Sequence, residues 1–155
     1  MSAISESCRV SLLIADFASD DGGKIGILGG AWTHTGTPAP AQAVVVVVEV
    51  PGEHLNEQFA LELSLIGEHG PVLLPDAQTG DARPLRVAQN LTAVTIPGVP
   101  RKAPNRVHFV INLAPGLPLL ADHVYTWRVS IDGETQDGWA TSFYVRQAVG
   151  GVVVG

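Results

Sequence analysis

Tyr125-Thr126-Trp127-Arg128-Val129-Ser130-Ile131-Asp132-Gly133 is the stretch that decides the fold class. Tyr125, Trp127, Val129 and Ile131 are apolar at every second position, and Thr126, Arg128 and Ser130 fill the gaps. A period of two is what a strand needs when one face is buried and the other is wetted. Asp132-Gly133 closes the run with the residue pair that a two-residue hairpin turn demands, since both turn positions require positive φ. Moving outward, the same alternation recurs in Trp139, Thr141, Phe143 and Val145, in Val107, Phe109, Ile111 and Leu113, and in Phe59, Leu61, Leu63 and Leu65. The shared phase predicts a core containing Phe59, Leu61, Leu63, Val107, Phe109, Ile111, Trp127, Val129, Ile131 and Phe143.

Residues 44–48 break the pattern informatively. Five consecutive valines leave no polar face, so this strand should be central and covered on both sides. Between the apolar runs lie turn formers: Asp20-Asp21-Gly22-Gly23, Gly36-Thr37-Pro38, Pro51-Gly52, Gly67-Glu68-His69-Gly70 and Pro97-Gly98-Val99-Pro100. Strands are expected over 8–17, 24–34, 42–50, 58–66, 83–94, 105–113, 122–132 and 137–147, with 72–74 as a ninth. The one helical candidate is a turn at 53–58. This is an all-β pattern, and it predicts a two-sheet antiparallel β-sandwich, immunoglobulin-like or related, of eight to nine strands. No linker or repeat divides the chain, so residues 1–147 read as a single domain followed by a Gly/Val arm at 148–155.

Composition limits the functional classes. The chain has 155 residues, 46% of them hydrophobic, 15% charged, with a net charge of −6. One domain of this size buries about 70% of its unfolded surface. Only 9 Lys and Arg residues are present, which argues against electrostatic binding to nucleic acid. The first seven residues carry neither a basic segment nor a long apolar one, so synthesis without a secretory leader, in the cytoplasm, is expected. The longest apolar run, residues 43–48, is far shorter than the ~20 residues of a membrane helix.

Each chemical constellation has a plainer explanation. The single Cys8 excludes an internal disulfide and a cysteine-based zinc site, and it reads as a small core residue. Residues 22–30 are glycine-rich but lack the Lys-Ser/Thr pair of a phosphate loop; glycines within a strand pattern point to bulges or close backbone approach. His34, His54, His69, His108 and His123 have no ligand spacing, so a metal site could arise only by tertiary assembly, and they read as solvated. Asp16, Asp20 and Asp21, like Asp132, Glu134 and Asp137, read as turn acids, with an ion at either group left open. Trp127 and Trp139 read as core, whereas Trp32 remains open as a surface binding residue. No catalytic residue, cofactor or metal is predicted.

The end of the chain carries the one candidate interaction element. Gly150 and Gly151 form a hinge ahead of Val152, Val153 and Val154, an uncharged β-prone triplet. Such a triplet fits as a frayed tail, as a last edge strand of its own domain, or as a strand added to a neighbour's sheet. The third reading makes Val152, Val153 and Val154 the expected contact residues.

The order of segments resembles a family of small, uncharacterised all-β proteins of actinobacteria and their phages, over roughly residues 9–146. The carrying motifs are Gly23-Lys24-Ile25-Gly26-Ile27-Leu28-Gly29-Gly30-Ala31-Trp32 and Tyr125-Thr126-Trp127-Arg128-Val129-Ser130-Ile131-Asp132-Gly133-Glu134. The resemblance implies a β-sandwich and a phage or bacterial setting, with no activity and no catalytic residues to transfer. Within that setting the expectation is a non-enzymatic structural module, a minor capsid or decoration protein of the virion. Its partner would be a shell protein or copies of itself, as a homo-oligomer or lattice-bound subunit. The alternative is a cytoplasmic ligand-binding or adaptor domain, with carbohydrate as one ligand.

Overall fold

A computed structural model describes residues 2–147. The arm at 148–155, with Val152, Val153 and Val154, lies outside the described residues. A five-residue helix, α1 (Ala3–Ser7), comes first and a single 3-10 turn spans Gly52–His54. The strands are β1 (Arg9–Asp21), β2 (Lys24–Gly30), β3 (His34–Thr35), β4 (Gln42–Glu49), β5 (Gln58–Gly67), β6 (Gly70–Pro71), β7 (Leu73–Pro75), β8 (Ala82–Pro84), β9 (Arg86–Thr92), β10 (Arg106–Leu113), β11 (His123–Ile131) and β12 (Ala140–Val145). The protein is a largely β-stranded domain with several sheets. One has the order β10-β4-β1-β2, a second runs β3-β12-β11-β5-β6 with β9 also on β5, and β7-β8 form a short ribbon. All pairings are antiparallel except β3 with β12.

The alternating runs put their apolar residues where the periodicity requires. Ile14, Val44, Val46, Val48 and Phe109 of the first sheet and Phe59, Leu61, Leu63, Trp127, Val129, Ile131 and Phe143 of the second belong to one buried cluster. Val107 and Ile111 are only half-buried, because β10 is an edge strand and lacks a neighbour on one side. Cys8, Trp127 and Trp139 are all buried in this cluster. The valine run is central, between β1 and β10: Val46 is in register with Leu12 on one side and Phe109 on the other. Asp132 and Gly133 both have positive φ, as a type I′ turn needs.

Several expectations need correction. Among the described residues twelve strands stand where eight to nine were expected, partly because the segment expected as one strand over 83–94 divides at Leu85. There the backbone N–H of Leu85 donates to Val72 O, and Leu85 O accepts from Leu65 N–H. The strand expected over 24–34 ends at Gly30, since Ala31 takes φ +66° and leaves the extended region. The last strand begins at Ala140, not 137, because a turn from Gln136 O to Trp139 N–H intervenes. α1 was not expected; its local cause is Ser2, whose hydroxyl accepts from Ser5 N–H as an N-cap. The helix is held in place by burial of Ile4 and by Gln136 Nε2 donating to Ser5 O.

β1 is the element that shapes the exposed surface. It has 13 residues, and only its first seven, Arg9 to Ala15, pair with β4. The remainder pairs with β2 and brings Ala18 to Asn112 of β10. Ala15, Ala18, Ala43 and Val45 form a second buried cluster there, with Leu13, Ile25, Val47 and Val110 packed against it. Small alanines allow this close approach. The amide of Asn112 fastens it, accepting from Ala18 N–H at 3.2 Å and donating to Ala18 O at 2.8 Å. A side chain thus supplies the two bonds that a neighbouring strand would otherwise make.

Candidate functional site

The β1–β2 hairpin exposes several large apolar side chains. Phe17 and Leu28 are directly opposed across the two strands and are 50% and 67% exposed. Ile27 beside them is 41% exposed. β2 is the edge of its sheet, and after Lys24 it has no charged residue. Edge strands in soluble proteins usually carry charges, prolines or bulges that discourage pairing with another chain. Gly29 supplies the one irregularity, with φ +59°. A Cβ added there would lie 2.1 Å from Asp16 Oδ2, so only glycine lets Asp16 lie against this strand. Gly26, Gly29 and Gly30 are thus crowded by side chains, whereas Gly22 and Gly23 take positive φ in the turn with open space around them.

Trp32 lies just beyond that bend. Its ring packs edge-on against Phe143 at 5.6 Å, and it is half-buried. The indole Nε1 is buried without a hydrogen-bond partner. One side of the ring borders a shallow cleft with Asp16, His34, Thr35 and Arg146. Trp32 is thus a core-anchored residue at the rim of a polar cleft, which gives it an aromatic wall and two charged neighbours of opposite sign.

The acidic candidates at the turns are dispersed. Asp20 Oδ1 accepts from Gly23 N–H and Asp21 Oδ2 accepts from Ser19 Oγ, which is turn chemistry. Asp132 Oδ1 accepts from Ala60 N–H, tying the β11 turn to β5. No group of three His, Cys, Asp or Glu side chains converges among the described residues. The reading of the histidines as solvated fails for His54, which is buried with Nδ1 2.9 Å from Glu57 Oε2. The 3-10 turn folds the ring inward, and the acids on either side, Glu53 and Glu57, offer it partners. Burial pushes the Cys8 thiol above its ordinary range, so it is a poor nucleophile.

Phe17, Ile27 and Leu28 were the residues that sequence reasoning missed. Their signal was present: apolar residues at adjacent positions in a glycine-rich strand leave one of them facing outward. No helix among the described residues is long and apolar enough to cross a membrane. No curated protein matches the chain. A family model, described as "Family of unknown function (DUF6941)", matches residues 10–146, and the chain belongs to that family.

Proposed function

We propose that this protein is a non-enzymatic structural module that assembles by strand addition, with β2 as the acceptor edge. The observation that carries the reading is the exposed Phe17–Leu28 pair on an edge strand without charge beyond Lys24. The donor we assign is the Val152, Val153 and Val154 segment of a neighbouring copy, an uncharged β-prone triplet that follows Gly150-Gly151 in the sequence. Each ladder bond contributes about 0.5–1.5 kcal/mol net and each valine about 1.5–3 kcal/mol on burial. Ordering costs about 1–2 kcal/mol per residue. One arm therefore binds weakly, and occupancy requires many copies in a ring or on a lattice.

The architecture in this reading is a two-layer, immunoglobulin-like sandwich, supported by the shared core of the two larger sheets. The assembly is a virion shell, on which the chain is a minor capsid or decoration protein. The low charge content and the resemblance of residues 23–32 and 125–134 to proteins of a phage setting support it. Truncation after Ala148 and, separately, Leu28→Glu are the test, read by light-scattering mass. Both should lower the assembled mass while each monomer melts as the parent does. Unchanged assembly in both variants overturns the reading. A second reading, a ligand-binding domain, draws on the Trp32 cleft; saccharide titration followed by tryptophan fluorescence tests it, with Trp32→Phe as the control.

A further inference from the structure

Two histidines separated in sequence meet at the rim of a pocket of about 210 Å³ that Tyr125 and Leu120 also line. His69 lies in the turn between β5 and β6, and His123 is the first residue of β11. Their ring centres are 5.8 Å apart and the planes cross at 67°. His123 Nδ1 is 2.8 Å from Ala121 O. A carbonyl oxygen only accepts, so the contact places the proton on Nδ1 and leaves the lone pair on Nε2. Histidines that bind metals are commonly held this way, with the second ring nitrogen donating to a carbonyl that fixes tautomer and orientation.

We propose that His69 and His123 together bind a divalent transition-metal ion such as nickel or zinc. The separation of the rings is compatible with a shared ion. With a metal–nitrogen bond of about 2.0–2.1 Å, an ion sits about 3.2 Å from each ring centre, so two rings sharing a tetrahedral ion stand about 5.2 Å apart. The remaining difference from 5.8 Å is within the breadth of a rotamer well, and His69 is exposed. Imidazole nitrogen favours zinc, nickel and copper, whereas calcium and magnesium need a cage of oxygens. Glu68, next in the turn, is engaged elsewhere: its Oε2 accepts from Val124 N–H at 2.6 Å. The protein thus supplies two ligands, and water or a donor from a docked molecule takes the open positions. A bound ion clips the β5–β6 turn to the start of β11, and an ion that binds only the folded chain raises its melting temperature.

The test is calorimetric titration of the untagged full chain with nickel chloride alone, then zinc chloride alone, together with melting curves. The expected result is one ion per chain, a Tm that rises with metal concentration, and no heat with calcium chloride. His69→Ala and His123→Ala should each weaken binding at least tenfold while melting as the parent does without metal. His108→Ala, which alters a histidine outside the pocket, should bind as the parent does. Absence of binding by the parent, parental binding by His69→Ala or His123→Ala, or loss of binding in His108→Ala would each overturn the assignment. In those cases the ring contact is aromatic packing only.

Discussion

The indole Nε1 of Trp127 donates to Gln42 Oε1 at 3.0 Å, across the interior between β11 and β4. Both side chains are almost fully buried, and the Gln42 Nε2 finds no partner of its own. This bond joins the two larger sheets through polar atoms in an otherwise apolar cluster. A buried polar atom left without its partner costs about 1–3 kcal/mol, whereas replacing both members by apolar groups costs much less.

A double-mutant cycle on this pair should therefore be strongly non-additive. Trp127→Phe leaves the Gln42 amide with no bond at all, and Gln42→Leu leaves the indole N–H orphaned. Each should lower stability by about 1–3 kcal/mol in urea unfolding, beyond the packing change. The double variant should lose less than the sum of the two.

Val46→Asp should fail to fold. Val46 is fully buried with Leu12 and Phe109 in register on either side, so the new carboxylate would have no partner and no water. The penalty is comparable to the whole stability of a domain, about 5–15 kcal/mol. Val46→Ile, which keeps the apolar character, should express as a soluble protein with a cooperative melt. Soluble expression of both variants, with equal Tm, would place this valine outside the core.

Asn112→Ala should loosen the β1–β2 hairpin while leaving the main core intact. It removes both bonds to the Ala18 backbone, whose N–H and C=O have no strand on that side. The expected loss is about 1–3 kcal/mol, and amide exchange should accelerate at Ala18 far more than at Val129. Equal protection at the two amides in variant and parent would show that the alanine cluster alone holds the hairpin.

Asp122 gives a pH-dependent prediction. Its carboxylate accepts from the Tyr144 hydroxyl and from the Gln147 amide, and these bonds, Tyr144 first, hold its pKa below the ordinary aspartate value. A pKa depressed on folding contributes stability above the unfolded-state value, and that contribution is lost as pH falls through the folded-state value. Tyr144→Phe should move the Asp122 titration, followed by carboxyl-carbon NMR, upward toward the ordinary value. The variant should melt below the parent near neutral pH, and the gap should narrow in acid. The carboxylate is exposed, so the effect on melting is small.

Strand identity and inner faces were legible in the sequence because period two is a local property. Phe59, Leu61, Leu63, Trp127, Val129 and Ile131 declare by spacing which side turns inward, and five valines in a row declare a central strand. Turn chemistry at Asp132-Gly133 is local in the same sense, since backbone angles belong to the residues themselves. α1 was also local, capped by Ser2, but one turn of helix gives too short a period to stand out.

Tertiary structure alone decided which residues meet. Trp127 and Gln42 are 85 positions apart and Ala18 and Asn112 are 94 apart, so no spacing rule links them. The exposure of Phe17 and Leu28 follows from β1 outrunning β4, a consequence of strand lengths in one sheet compared with each other. The approach of His69 to His123 depends on where the β5–β6 turn falls relative to the start of β11. Alternation fixes a side chain's face, but sheet register and the packing of one layer on another fix its neighbours, and those are summed over the whole chain.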